Sequence, residues 1–291
     1  MFRDGLTKLR ITLEMIKFEH SIFALPFALT GAMLAVGDWP GGRELGWIVL
    51  AMVAARSAAM TFNRIADASL DARNPRTATR PLPKGRLSMR FAAVFTAVAS
   101  GVFFLAAAEL HPWALKLSPL VLLILFGYSY TKSFTDLSLL WLGFSLGMSP
   151  VGASVALTGE VTPGVALLGV AVMLWVEGFD LIYSCQDLEF DRRAGLFSFP
   201  QRFGVRAALL AARIFHVIMM VVLVWVARYS GLGWLSAMGL FVVGLLLFYE
   251  HSLVKPNDLS RVNAAFFTVN GIISLLFFAF WASDIRLLNI G

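Results

Sequence analysis

Residues 48–71 read IVLAMVAARSAAMTFNRIADASLD, an apolar run of helical length that ends in two carboxylates. Asp67 and Asp71 are four residues apart, so a helix presents them on one face, one turn from each other. Asn63 and Arg56 precede them on the same face, and Arg56 lies deep in the apolar run. Because a charge at that depth in a bilayer is costly, it needs a partner or a polar interior. The stretch therefore predicts a membrane-spanning helix whose end carries a polar site.

The composition of the whole chain is that of a membrane protein. Of its 291 residues, 58% are hydrophobic and 14% are charged, whereas about a quarter of the residues in a soluble domain are charged. The net charge of +6 comes from basic residues that lie between apolar runs, which indicates membrane topology and not nucleic-acid binding. The lone cysteine, Cys185, excludes a disulfide within the chain and any CxxC metal or redox motif.

Nine apolar segments are long enough to be membrane-spanning helices, which need about 20 residues each. We therefore predict an all-α integral membrane protein, a bundle of nine transmembrane helices. No linker separates two cores, so a single domain is expected over residues 1–291. The predicted spans are 19–37, 46–63, 90–108, 113–130, 137–157, 163–184, 206–228, 231–250 and 263–282.

The distribution of basic residues predicts the orientation of this bundle. Of the 24 lysines and arginines, 18 fall on one side of the predicted topology. The positive-inside rule places that side in the cytoplasm, so the N-terminus is predicted to be cytoplasmic and the C-terminus to lie on the opposite side. In a prokaryote the bilayer is the plasma (inner) membrane. The two long polar connections, 64–89 and 185–205, face the cytoplasm and are the expected place of any soluble chemistry.

A second pair of aspartates has the same four-residue spacing as the first and also lies at the end of an apolar segment. The sixth span ends in EGFDLIYSCQDLEFD, residues 177–191, in which Asp187 and Asp191 share one helical face. Glu177 and Asp180 lie further back on that face, whereas Glu189 is expected to point away from it. Both acidic pairs are therefore predicted at helix ends on the same side of the membrane, each beside a basic loop.

Carboxylates next to basic loops point to a divalent cation and a phosphate. Mg²⁺ prefers oxygen ligands and is commonly held by one or two carboxylates together with substrate phosphates, while Arg and Lys contact the remaining phosphate oxygens. Since an apolar bundle below such a site accommodates a lipid tail, the sequence predicts a Mg²⁺-dependent site for an isoprenyl diphosphate. The expected metal ligands and catalytic residues are Asp67, Asp71, Asp187 and Asp191.

Two other classes of membrane protein are compatible with these residues. Buried charges such as Arg56, Glu177 and Asp180 are also what an ion or solute transporter offers. A non-catalytic lipid-binding or scaffolding protein is the other alternative. The acidic pairs cluster on one face of the membrane, and no sequence repeat relates the two halves of the chain. Both observations favour an enzyme over a transporter.

Three stretches of the chain resemble a known family. Residues 63–83, NRIADASLDARNPRTATRPLP, resemble the first aspartate-rich motif of the UbiA superfamily of intramembrane aromatic prenyltransferases. Residues 183–204, YSCQDLEFDRRAGLFSFPQRFG, resemble the second, and YSYTK at 128–132 is similar to the tyrosine–lysine segment after the family's fourth helix. The nine spans match the family fold. The chain departs from the common NDxxDxxxD pattern at Arg64, which removes one possible metal ligand and adds a cation.

The resemblance implies roles for individual residues. The first motif would bind Mg²⁺–diphosphate through Asn63, Asp67 and Asp71, and the second through the two aspartates named above. Arg56 is not part of the resemblance, but its position below Asn63 makes it the expected contact for a carboxylate of the acceptor or a diphosphate oxygen. The remaining substrate-binding residues that the resemblance implies are Lys132 and the loop arginines Arg73, Arg76 and Arg80, which would close over the site.

The same resemblance implies a reaction. The expected activity is transfer of a polyprenyl group from an isoprenyl diphosphate to a small carboxylated aromatic acid, by ionisation of the diphosphate and electrophilic aromatic substitution. The chain resembles the 4-hydroxybenzoate polyprenyltransferase-like subgroup, which makes 4-hydroxybenzoate the expected acceptor in quinone biosynthesis. Some members of that subgroup prenylate 1,4-dihydroxy-6-naphthoate in a menaquinone route, so this acceptor is the alternative.

Overall fold

The computed structural model describes residues 10–12, 14–16 and 21–288, and these residues are predominantly helical. Within them, β-pairing is confined to one isolated bridge between Lys255 and Asp258. The all-α prediction is therefore confirmed. The described residues also contain a 3₁₀ turn over Cys185–Asp187 and a π-helical turn over Ala264–Val269. The helices are α1 (Ser21–Val36), α2 (Gly42–Ala66), α3 (Ala68–Arg73), α4 (Met89–Leu110), α5 (Pro112–Thr131), α6 (Ser138–Thr158), α7 (Pro163–Ser184), α8 (Leu188–Ala194), α9 (Phe199–Tyr229), α10 (Trp234–Ser252) and α11 (Asn270–Leu288).

Eight helices in the described part of the chain are long and apolar enough to cross a membrane. They are α2, α4, α5, α6, α7 with its continuation to Ala194, α9, α10, and α11 with the π-helical turn before it. The first apolar helix, α1, is shorter at 16 residues, and the first two residues of the span predicted there lie outside the described residues. The count of nine spans and the sides of the two termini stay predictions.

The chain forms two compact units, each with its own core. The first unit comprises Met1–Ser21 and Gly46–Tyr130, and the second comprises Ile22–Leu45 and Thr131–Gly291. The first acidic motif belongs to the first unit and the second motif to the second unit. Each motif is therefore positioned by the packing of its own unit.

In the first unit, α2, α4 and α5 pack through small and aromatic side chains. Ala58, Ala99 and Leu122 are buried together, and the ring of Phe62 stacks on that of Phe126 with 4.3 Å between centroids. Another core joins the loop after α3 to α4 and to the described residues before α1. It consists of Met15, Ile16, Leu82, Leu87 and Ala92. The loop that follows the first acidic motif therefore rests on an ordered apolar base.

In the second unit, α7 lies in the largest core. Trp175 of α7 is fully buried, and its ring centroid lies 4.8 Å from that of Phe27 in α1 and 5.0 Å from that of Phe179. Phe277 of α11 stacks on Phe27 at 4.7 Å. Packing from α1 and α11 thus fixes the helix that ends in the second acidic motif.

The backbones of α6 and α7 approach each other closely through glycines. A Cβ atom placed on Gly147 would lie 2.6 Å from the carbonyl oxygen of Gly169, and one placed on Gly169 would lie 2.8 Å from the carbonyl oxygen of Gly147. Small residues allow such close crossings of membrane helices. One turn along α6, Gly143 leaves space for the side chain of Glu177, which is 1% exposed. The crossing therefore holds a buried carboxyl group between the two helices.

A buried polar network joins α7, α10 and α11. The indole Nε1–H of Trp175 donates to Asn270 Oδ1 at 2.7 Å, and Asn270 Nδ2 donates to Glu250 Oε1 at 3.1 Å. The same Nδ2 donates to the carbonyl oxygen of Ala265, 3.0 Å away in the π-helical turn. Asn270 and Glu250 are both fully buried. A single amide side chain thus satisfies partners on three elements.

Replacing Asn270 by Ala should destabilise the protein by about 2–4 kcal/mol, because buried partners on α7 and α10 lose their hydrogen bonds. The measurement is thermal unfolding of the detergent-solubilised protein. Ser283→Ala is the matched control, since Ser283 lies on the same helix, is exposed and donates to the carbonyl oxygen of Ala279 within that helix. Equal unfolding temperatures for the two variants would contradict a stabilising role for the network.

Aromatic side chains surround the end of α9 and the start of α10. Trp225, Tyr229 and Trp234 are 65%, 61% and 69% exposed. Amphipathic rings of this kind are enriched where a membrane meets water. The 19 residues of α10 give a length of about 28 Å at 1.5 Å per residue, close to the roughly 30 Å of a bilayer's hydrocarbon core. These rings are therefore placed to anchor one end of α9 and α10 at the interface.

Candidate active site

The first acidic motif spans a bend between two helices. α2 ends at Ala66 and α3 begins at Ala68, with Asp67 between them at φ −87° and ψ 0°. The backbone hydrogen bonds continue through the bend, because Asp67 N–H donates to Asn63 O at 2.9 Å and Asp71 N–H donates to Asp67 O at 2.8 Å. The predicted one-turn spacing of the two carboxylates is therefore retained although the helix is interrupted.

Asn63 holds the carboxylate of Asp67. Its Nδ2 donates to Asp67 Oδ2 at 3.0 Å and to Ser129 Oγ at 3.4 Å, while Arg64 Nη1 donates to Asn63 Oδ1 at 3.2 Å. Since a guanidinium can only donate, the amide oxygen of Asn63 must face Arg64 and the nitrogen must face Asp67. Arg64 is 8% exposed, and its Nε also approaches the carbonyl oxygen of Met15 at 3.5 Å. Arg64 thus orients the amide that orients the first aspartate.

Asp71 is paired with an arginine of the following loop. Arg80 Nη1 lies 2.7 Å from Asp71 Oδ1 and 2.8 Å from Oδ2. The loop closes on the same residue, since the hydroxyl of Thr77 donates to the carbonyl oxygen of Asp71 at 3.1 Å. Of the three loop arginines named from the sequence, Arg80 reaches the first motif, whereas Arg73 and Arg76 are exposed.

The other predicted residue of the first unit is Arg56. It lies in α2, three turns before Asp67, and is half-buried, with its Nε atom shielded from solvent. The structure therefore places a cation within the span, as the sequence predicted, on the helix that leads to the first motif.

The second acidic motif continues the direction of α7. The 3₁₀ turn and α8 extend the helix into a region that the sequence suggested to be a polar loop. Asp187 and Asp191 are 8% and 2% exposed, whereas the side chain of Glu189 is 85% exposed. The prediction that the two aspartates share a face and Glu189 points away is thus confirmed. Gly195 ends α8 with a φ of +66° and donates its N–H to the carbonyl oxygen of Asp191.

Lys132 lies beside the second motif. Its carbonyl oxygen accepts the N–H of Phe197 at 3.0 Å, which ties Lys132 to the turn after α8. Lys132 and Asp187 both lie within electrostatic reach of Asp180, so this unit has one cation and two carboxyl groups that influence one another. An ammonium group beside an acidic helix end is suited to bind phosphate oxygens.

The structure shows two further contacts that the sequence analysis did not predict. Arg202 Nη1 donates to Asp136 Oδ2 at 2.6 Å and joins the start of α9 to the turn before α6. Ser129, in the segment YSYTK, accepts from Asn63. Ser129 lies in the YSYTK segment that the sequence analysis quoted, so that segment pointed to its region. Asp136 and Arg202 are 66 residues apart, and no local pattern relates them.

The oxygen atoms of both motifs suit a hard divalent cation whose remaining ligands come from a substrate. Carboxylate oxygens are typical Mg²⁺ ligands, and Mg²⁺ usually takes one or two carboxylates together with water and phosphate oxygens. In neither unit does the described part of the chain bring together three His, Cys, Asp or Glu side chains able to hold a metal ion by themselves. The residues therefore suit a cation that a phosphate ligand helps to coordinate.

Comparison with known proteins gives consistent matches. The model of the UbiA prenyltransferase family matches residues 24–281. A 4-hydroxybenzoate octaprenyltransferase from Methylobacillus flagellatus is 28% identical over 256 residues, which cover 88% of this chain and 86% of that protein. The protein of the same name from Nitrosospira multiformis is 31% identical over 250 residues, or 86% of each chain.

Two solved structures are similar in fold. The apo structure of a UbiA homolog from Aeropyrum pernix K1 has a TM-score of 0.83 and 35% identity, and the match covers 91% of this chain and 98% of that one. A UbiA homolog from Archaeoglobus fulgidus, solved with DMAPP and Mg²⁺, has a TM-score of 0.73 and 19% identity over 95% of this chain and 99% of that one. The likeness extends over nearly the whole chain in both cases.

Proposed function

This chain belongs to the UbiA prenyltransferase family, and from that premise we propose that it transfers a polyprenyl group from an isoprenyl diphosphate to 4-hydroxybenzoate. The observation that carries the proposal is the pair of acidic motifs at the ends of membrane helices, each with a cation beside it, Arg80 at the first and Lys132 at the second. The names of the relatives, 4-hydroxybenzoate octaprenyltransferase, support the acceptor. The DMAPP and Mg²⁺ bound by the Archaeoglobus homolog support the donor and the metal.

The proposed roles follow from the chemical group that each side chain carries. Asp67, Asp71, Asp187 and Asp191 would hold Mg²⁺ together with the donor's diphosphate, and Asn63 keeps Asp67 in place. The cations Lys132, Arg73, Arg76 and Arg80 bind diphosphate oxygens. We further assign these groups to the cytoplasmic side of the membrane, which the distribution of basic residues supports.

The reaction begins with cleavage of the bond between C1 of the prenyl group and the diphosphate oxygen. Bound Mg²⁺ supplies positive charge that stabilises the leaving diphosphate. Lys132 and Arg80 donate to its oxygens as negative charge develops. The aromatic ring attacks the allylic cation from the carbon ortho to its hydroxyl, and loss of the ring proton restores aromaticity. The products are prenylated acceptor, diphosphate and one proton. The apolar spans exclude water, which would convert the cation to an alcohol.

The acceptor is held, in this proposal, by its carboxylate. Arg56 is the candidate, because it is a half-buried cation within an apolar span and a forked guanidinium matches a carboxylate. A second candidate acceptor is 1,4-dihydroxy-6-naphthoate.

An acceptor screen tests the proposal. Purified protein in lipid nanodiscs receives a polyprenyl diphosphate, Mg²⁺ and either acid, and products are identified by mass spectrometry. We expect the mass of prenylated 4-hydroxybenzoate, and we expect EDTA to reduce its formation to background because the diphosphate then lacks its counter-charge. Product with the naphthoate only would select the second acceptor. Turnover that is indifferent to EDTA, or solute uptake by proteoliposomes without any prenyl transfer, would overturn the assignment as a Mg²⁺-dependent prenyltransferase.

A further inference from the structure

The carboxylate of Asp71 is already occupied by a cation of the protein itself. One nitrogen of Arg80 contacts both of its oxygens, at 2.7 and 2.8 Å, and the side chain of Asp71 is 9% exposed. Charge-assisted hydrogen bonds of this length engage the same lone pairs that a hard cation uses. In this conformation Asp71 therefore binds Arg80 in the place of a metal ion.

The surroundings of this ion pair are electrically balanced. Arg64 lies within electrostatic reach of Arg80, Asp71 and Asp67. Two guanidinium groups thus offset two carboxylates, and the first motif has no net negative charge with which to attract a divalent cation. The substitution of an acid by Arg64 in the motif contributes one of the two positive charges.

The loop that carries Arg80 is held by bonds that do not involve its side chain. The hydroxyl of Thr77 donates to the carbonyl oxygen of Asp71, and the backbone N–H of Arg80 donates to the carbonyl oxygen of Thr77 at 2.9 Å. Leu82 and Leu87, further along the loop, are buried in the core of the first unit. The guanidinium can therefore change partner while the loop keeps its fold.

We propose that Arg80 is a latch that closes Asp71 to Mg²⁺ in the free protein and is opened by a diphosphate. This inference rests on the proposed function, since it needs the donor's diphosphate at the first motif. A diphosphate has more charge and more acceptor oxygens than one carboxylate, so it draws the guanidinium onto itself. Asp71 is then released to the metal that accompanies the donor. Metal and donor consequently bind cooperatively, and each raises the affinity for the other by the same factor.

The test measures Mn²⁺ binding by electron paramagnetic resonance, with and without a prenyl thiodiphosphate that cannot ionise. In the wild type we expect the analogue to tighten Mn²⁺ binding by at least about tenfold, within the usual range of coupling between sites. Arg80→Met should bind Mn²⁺ at least about fivefold more tightly than the wild type without the analogue, and should show a smaller effect of the analogue. Arg86→Met is the control for a general change in charge, because Arg86 is an exposed residue of the same loop.

A charge-balanced variant keeps the test decisive if Arg80→Met fails to fold. Removing both partners of a buried pair is far better tolerated than removing one, so Asp71→Asn/Arg80→Met should fold. If Arg80 holds Asp71 in the free protein, this variant should bind Mn²⁺ without the analogue about as tightly as the wild type does, within about twofold. With the analogue present, it should lack the tighter Mn²⁺ binding that the wild type shows. A fivefold loss of Mn²⁺ affinity without the analogue would mean that Asp71 ligates the metal in the free protein, and the latch would be disproved.

The outcomes separate this inference from the proposed function. No effect of the analogue on Mn²⁺ binding in the wild type would contradict the diphosphate site itself. A clear effect in the wild type, together with identical Mn²⁺ affinities for Arg80→Met and Arg86→Met, would contradict the latch alone. The same readout therefore tests both statements independently of turnover.

Discussion

Asparagine at position 191 should lower the rate of prenyl transfer by about 10²–10³-fold, equivalent to roughly 3–4 kcal/mol of transition-state stabilisation. Asp191 is 2% exposed on α8, so its charge acts in surroundings that screen it weakly. Under the proposed function it holds the cation that offsets the leaving diphosphate. Loss of that carboxylate leaves the developing charge less compensated at the moment the C–O bond breaks.

Glu189→Gln is the matched control for Asp191→Asn. Both changes remove one negative charge from α8 with little change of shape, but the side chain of Glu189 is 85% exposed and pairs with Arg193 at 3.4 Å. We expect its turnover to stay within about twofold of the wild type, because an exposed ion pair of this kind contributes little. Initial rates at saturating donor and acceptor provide the comparison. If the two variants were equally active, the second motif would have no part in catalysis.

Valine at position 147 should prevent α6 and α7 from packing in their present register. The added side chain would start 2.6 Å from the carbonyl oxygen of Gly169, and two backbones must separate to admit it. Overpacking of a well-packed interior costs about 1–3 kcal/mol, and we expect the upper end because backbone and not a flexible side chain is displaced. Fluorescence-detected size-exclusion after heating shows the effect as a lower unfolding temperature and less monodisperse protein.

The Gly152→Val variant tests whether the lower unfolding temperature of Gly147→Val comes from the contact between the two helices or from placing a branched residue in a helix. Gly152 lies on α6 as well and is exposed, and a Cβ atom placed on it would have no neighbouring atom within 4 Å. We expect its unfolding temperature to stay near that of the wild type. A comparable loss for both variants would indicate that the glycines of α6 are needed for backbone reasons unrelated to the crossing.

The helices were predictable where an apolar run is bounded by residues that stop a helix. The predicted span 137–157 corresponds to Ser138–Thr158, which is followed by Gly159 with a φ of +74°. The predicted span 206–228 starts seven residues late, since α9 begins at Phe199. Residues 199–205 interrupt the apolar run with Gln201 and Arg202 and contain Gly204 in a non-helical conformation, so the sequence indicates a loop there.

The acidic face was predictable because a helix imposes a fixed angle between residues three and four apart. That rule separates Asp187 and Asp191 from Glu189, and the burial of these side chains agrees. The pairing of Arg80 with Asp71 was not predictable in the same way. The two residues are nine positions apart, and most of the chain between them is a loop, which has no fixed angle from one residue to the next. The network around Asn270 was hidden for a further reason, since its partners lie on helices 20 and 95 residues away.

Under the proposed function, the exposed rings of Trp225, Tyr229 and Trp234 have a consequence for how the protein would meet its donor. Rings of this kind hold a membrane protein at the interface, so it would not rise toward the aqueous phase to collect a molecule whose tail is dissolved in the acyl chains. Encounter then takes place in two dimensions, by lateral diffusion within the leaflet. The quantity that sets the degree of saturation is the mole fraction of donor in the lipid, so diluting the donor with inert phospholipid lowers occupancy even when the amount per millilitre is unchanged.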